Sequence, residues 1–153
     1  MVLDSVNEPA TVASVSQLLE TLDWASGHLG PKSEWPSCLH AAINIALPSQ
    51  AQIVMFWGPD FVAFYNDAYT PTIGNKHPHA FGRPARESWS ELWDDLEPLL
   101  KRVLDTGETV AWARASKSRS DTFAATTVSY GFRTRCRQSG TAMQISHRRS
   151  LYP

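Results

Sequence analysis

Apolar residues first recur along the chain at the period of a helix. In SVSQLLETLDWA, residues 14–25, Val15, Leu18, Leu19, Leu22 and Ala25 fall on one face, which predicts an amphipathic helix that stops at Gly27. Leu39, Ala42, Ile43, Ala46 and Leu47 repeat the period in WPSCLHAAINIAL, with Pro36 suited to a first helical position and Pro48 ending the run. The pattern then changes. QIVMFW (52–57) and FVAFYN (61–66) are short β-branched and aromatic runs on either side of Gly-Pro-Asp. They predict a β-hairpin with a three-residue connection, and their near-continuous apolarity predicts burial on both faces.

Asn66 follows the second run, and its side-chain oxygen is placed to accept from the backbone of Ala68 or Tyr69, opening a short helix, DAYTPTIG, that Gly74 closes. NKHPHAFGRPARES reads as a loop. Ser88 with Glu91 three residues on forms a capping box for the strongest helical pattern in the chain: Trp89, Leu92, Trp93, Leu96, Leu99, Leu100, Val103 and Leu104. Pro98 is expected to kink or split this helix, and Gly107 to end it. ETVAWARA (108–115), TFAATTVSYGF (122–132) and TAMQISH (141–147) read as strands. Helices, hairpin, helices and two or three strands in one small domain predict an α+β fold, an antiparallel sheet covered by helices on one face.

A chain of 153 residues is long enough for one domain with a real core, and too short for two comfortable ones. Its net charge of −1 hides an asymmetry. Residues 1–113 hold six Lys/Arg against fourteen Asp/Glu, a balance of −8, and residues 114–153 hold eight against one, a balance of +7. A basic segment of this kind is a solvated terminus or a binder of nucleic acid or acidic lipid. Cys38 and Cys136 lie far apart with no zinc-ligand spacing around them, so neither a disulfide framework nor a zinc knuckle is readable. The first residues carry no basic n-region or long apolar run, and no later stretch nears the roughly 20 apolar residues of a membrane span. A cytoplasmic location is expected.

YNDAY, IGNKHPHAFGRPARESW and ELWDDLEPLLKRVLDTGET, in that order, with LGPKSEWPSCL and MFWGPDFVAFYN upstream, resemble the PAS sensory domains of bacterial sensor histidine kinases. The resemblance runs from about Leu29 to about Thr109, roughly half the chain. It implies a PAS-like antiparallel sheet of about five strands with helices on one face, a signal-sensing role in which a small ligand or a partner is bound, and frequent dimerisation. It implies no catalysis within the domain itself, any kinase activity of a two-component system residing elsewhere. The organisation expected is an N-terminal amphipathic helix and lead-in (1–28), a PAS-like domain (29–135) and an atypical basic tail (136–153). Of the family's last strands VSY (128–130) is kept, while beyond it Arg, Ser and Thr stand where the family has a valine-rich strand.

Candidate chemistry lies in the rings. Phe56, Phe64, Tyr65, Tyr69, Trp89 and Trp93, with Trp57 beside them, are read either as core packing or as the aromatic walls of a pocket between sheet and helices, where a Tyr hydroxyl or the Asn66 amide orients a ligand. No cofactor is assigned. His77 and His79 have no Cys or carboxylate at useful spacing and are expected in solvent or bonded to the backbone rather than on a metal. Flavin photochemistry needs a reactive cysteine in a helix facing the sheet, and Cys38 lies in the early helix instead. Asp94, Asp95 and Glu97 belong to the solvated face of an amphipathic helix, and no nucleophile elbow, phosphate-binding loop or zinc-protease motif is present. The alternative reading is a nucleic-acid-binding or purely dimerising module, using Arg133, Arg135, Arg137, Arg148 and Arg149.

Overall fold

The computed structural model of the chain describes residues 13–106 and, as backbone, 110–113, 126–132 and 141–147. Helix α1 (Val15–Thr21) opens on a reciprocal cap, the Ser14 hydroxyl accepting from the Gln17 amide while the Gln17 side chain accepts from the Ser14 amide. It is shorter than its apolar pattern predicts. The chain turns extended at Leu22, and the Trp24 indole donates to the Leu19 carbonyl at 2.9 Å, taking up one of the oxygens that helix ends leave free. Val15 and Leu18 are buried, whereas Leu22 is 38% exposed. Helix α2 (Ser37–Ala46) buries Leu39, Ile43 and Ala46, with Pro36 one position outside it as the N-cap.

Strands β1 (Gln52–Trp57) and β2 (Val62–Tyr65) form the expected hairpin, antiparallel with Met55 opposite Phe64 and Val54 opposite Tyr65. The connection is four residues rather than three. Phe61 belongs to the turn, at a left-handed φ of 51°, with its amide bonded to the Gly58 carbonyl. Every residue of β2 is buried, as are the last five of β1, so burial on both faces holds. The outer edge of β2 is also occupied: Ala63 donates to the Arg83 carbonyl and accepts from Gly82, and Ala85 donates to the Phe61 carbonyl. An edge that would otherwise present free amides is thereby closed.

After β2 comes a 3-10 turn, Asp67–Tyr69, then α3 (Thr70–Ile73) ending at Gly74 with φ 55°, as the sequence predicts. The next segment differs. Helix α4 (Ala85–Ser88) ends where the long helix was expected to start, a 3-10 turn spans Ser90–Leu92, and α5 covers Trp93–Thr106. No Ser88–Glu91 capping box forms, because Trp89 leaves helical geometry at φ −117°, ψ 33° and buries its ring edge-on against Phe56, 5.6 Å between centroids. Glu91 instead pairs with Lys76, whose ammonium lies over the Trp89 ring. Helix α5 runs unbroken through Pro98 and ends at Thr106; Gly107 lies outside the described residues.

Strands β3 (Val110–Ala113), β4 (Thr126–Phe132) and β5 (Thr141–His147) pair antiparallel with the hairpin in the order β2-β1-β5-β4-β3. β5 lies between β1 and β4, Ile53 facing Ile145 and Val128 facing Ile145 in Cα register. The fold is α+β. Cover on one face alone does not hold for the hairpin, because the segment carrying α1 and α2 sends Trp24 and Trp35 to one face while the segment after β2 covers the other.

Candidate functional site

Successive strand residues point to opposite sides, and residues directly paired share a side. Phe56 and Tyr65 therefore share one face of the hairpin with Val54 and Ala63, and Phe64 shares the other with Met55, Trp57 and Val62. The structure divides the predicted ring set accordingly. On the first face Phe56 meets Trp89, and Tyr65 lies 6.1 Å from Tyr69 and 5.8 Å from the His77 ring. On the second, Phe64 stacks on Trp24 at 5.7 Å and takes Trp35 edge-on at 5.8 Å. Phe81, beside the outer edge of β2, meets both Phe64 and Tyr65. Trp24, Trp35 and Phe81 carry no pattern signal beyond being aromatic, and the sequence reading passed over them.

Asn66 has a different role from the expected cap. Its backbone does occupy the N-cap position of the 3-10 turn, but its side chain makes no cap bond. The side-chain oxygen accepts from the Ile53 amide at 3.1 Å, and the amide nitrogen reaches the carbonyls of Ala46, Ser49 and Ala51 at 3.2, 2.9 and 2.7 Å. Two N–H groups serving three oxygens leave no donor over for a ligand, and Asn66 is 0% exposed. It locks the end of α2 and the entry to β1 onto the end of β2.

Tyr65 and Tyr69 are buried, and burial pushes both hydroxyls up, Tyr69 to about 12 and Tyr65 further. The Tyr65 hydroxyl lies 3.0 Å from His77 Nδ1, and His77 Nε2 lies 3.0 Å from the Ala13 carbonyl. His77 is thus a backbone-bonded residue, as one of its two expectations had it, while His79 is exposed. Among the described residues no group of three or more His, Cys, Asp and Glu side chains is arranged to hold a metal ion.

Trp93 stands apart from the other rings. It packs on Phe61 at 5.9 Å under the Arg86 guanidinium, and its buried indole N–H has no partner among the described residues. It lines a surface groove of about 380 Å³ with Phe61, Arg86, Glu97 and Lys101. Glu97 pairs with both cations, 3.5 Å from Arg86 and 3.1 Å from Lys101. The other six predicted residues line neither this groove nor a second, of about 240 Å³, beside Trp24 and Phe81. The arginines of the alternative reading lie outside the described residues. No described helix is long and apolar enough to cross a membrane.

No family model and no curated protein matches the chain. Solved structures similar to it include two that bear on light sensing. One is an RNA-binding light-oxygen-voltage receptor, 15% identical, matching 80% of this chain and 36% of its own with a TM-score of 0.49. The other is a fungal LOV-domain photoreceptor, 11% identical, matching 76% of this chain and 93% of its own with a TM-score of 0.47. The chain spans about a third of the length of the first receptor.

Proposed function

We propose that this chain is a PAS-like signal-sensing domain of the kind joined to histidine kinases, non-catalytic and cytoplasmic, which binds a small ligand or a partner and passes a conformational shift to an output carried elsewhere. The observation that carries the reading is the hairpin face holding Phe56 and Tyr65 against Trp89 and Tyr69, because these rings come from the MFWGPDFVAFYN, YNDAY and RESW stretches on which the family resemblance rests. These rings are packed together and buried, so a ligand enters only by parting them, and then meets aromatic surface and the phenol of Tyr65. A state with the ligand bound is favoured by its differential affinity alone, so the rings need only close better over one sheet–helix arrangement than over another. Dimerisation or contact with a signalling partner is part of the same proposal.

Native mass spectrometry of the full chain, followed by thermal melts against a metabolite set, tests it. A retained small molecule, a dimer, or a compound that raises the melting temperature supports the reading, since a ligand at 100 times its Kd adds about 2.7 kcal/mol to folding stability. A bare monomer whose melting temperature no compound raises overturns it.

A further inference from the structure

We infer that Tyr65 supports the docking of α1 through His77: the Tyr65 hydroxyl stabilises the imidazole tautomer that holds the start of α1 to the core. The inference concerns how the core grips α1 and stands whether or not a ligand is bound.

The argument begins at Ala13. Its carbonyl oxygen can only accept, so His77 Nε2, 3.0 Å away, carries the ring proton. In a neutral imidazole Nδ1 then holds a lone pair, and the group facing it at 3.0 Å is the Tyr65 hydroxyl, which donates. Burial favours the protonated phenol, so the donor is available at neutral pH. One side chain in the sheet thereby completes a chain of two hydrogen bonds that ends on the residue two before α1, meeting a lone pair that would otherwise be left unpaired. A second tie lies close by, where the Val15 amide, left free at the helix start, donates to Asp67 Oδ1 at 2.9 Å.

These ties matter because they hold the start of α1, its other side-chain ties, from Trp24 and Lys32, lying at Leu19 and Glu20 toward its far end. At seven residues it is far below the roughly 12–15 at which an isolated helix becomes even marginal, and it buries only Val15 and Leu18 fully. Without the Tyr65 hydroxyl the Nδ1 lone pair loses its donor, and the Ala13 carbonyl alone still favours the proton on Nε2. The other tautomer then gains population, and it turns the Nε2 lone pair toward the Ala13 oxygen, so the grip on α1 weakens. Any ligand or partner that draws the Tyr65 hydroxyl away does the same, which links the ring-bearing face of the hairpin to the N-terminal helix.

Hydrogen exchange over residues 15–22 of the full chain, read with ¹⁵N spectra of the His77 ring, tests this against Tyr65→Phe, His77→Gln and the control Tyr69→Phe. In Tyr65→Phe the Nδ1 and Nε2 shifts are expected to move toward a tautomer mixture and the α1 amides to exchange about fivefold faster, with β1 amides unchanged. His77→Gln is expected to speed α1 exchange as well, adding Tyr65→Phe to it is expected to change nothing further, and Tyr69→Phe is expected to leave α1 as it is. Unchanged His77 shifts and α1 exchange in Tyr65→Phe overturn the inference. So does exchange that rises equally in α1 and β1, which marks a general loss of stability.

Discussion

A single buried amide, Asn66, joins three parts of the chain, and its chemistry can be tested by one atom. Asn66→Asp keeps the shape and the acceptor for the Ile53 amide but removes both N–H donors and brings a carboxylate against the carbonyls of Ala46, Ser49 and Ala51. A loss of about 3–5 kcal/mol is expected from the unmet carbonyls and the buried charge, measured by denaturant unfolding. Reading Asn66 as a helix cap was reasonable from its place before DAYT, since local bonds are all a sequence displays. The actual partners lie 13 to 20 residues away, and no local pattern announces them. The tyrosines make a second prediction at this scale. Burial raises the Tyr69 hydroxyl to about 12 and Tyr65 in the same direction, against about 10 in an unfolded chain. The folded state holds these protons more tightly, so their contribution is complete below about pH 10 and falls as the pH rises toward about 12, by up to ~1.4 kcal/mol per pH unit for each tyrosine. Melting temperatures followed from pH 8 to 12 are expected to drop through that window, and Tyr69→Phe to make the drop shallower.

Among elements, the periods of apolar residues located α1, α2, the hairpin and the body of α5, and they failed at ends. Each failure has a ring behind it. Trp24 caps a carbonyl of α1 and stops that helix early, and Trp89 breaks away from α5 to meet Phe56. Phe61 is drawn out of β2 into the turn, where it packs on Trp93. A large side chain gains about 1.5–3 kcal/mol by full burial, more than a residue's helix or strand preference is worth, so tertiary contact decides where the element stops. The covered edge of β2 can be tested at Gly82, which sits at φ 73° and where an added Cβ would lie 2.7 Å from the Trp24 ring. Gly82→Ala is expected to cost about 2–3 kcal/mol through backbone strain and displacement of Trp24, read as a lowered denaturation midpoint with a shifted tryptophan emission.

The molecule as a whole depends on its N-terminal segment more than the division at residue 28 suggests. Val15, Leu18, Trp24, Trp35, Leu39 and Ile43 all lie in the one core cluster that includes the hairpin, and Trp24 and Trp35 cover the Phe64 face. A chain beginning at residue 48 is therefore expected not to fold, exposing Phe64, Met55 and Trp57 and binding a hydrophobic dye at neutral pH, whereas the full chain is expected to melt cooperatively without dye. What the sequence alone determined here is the kind of element in each stretch and the presence of a strand pair apolar on both sides, because periodicity and turn residues are local properties carried by neighbouring side chains. Which rings share a face, that Asn66 is spent on backbone and that His77 joins Tyr65 to α1 were decided only in the tertiary structure. Strand pairing and hydrogen bonds between residues 12 to 64 positions apart are set by geometry and desolvation across the folded core, which no window along the chain contains.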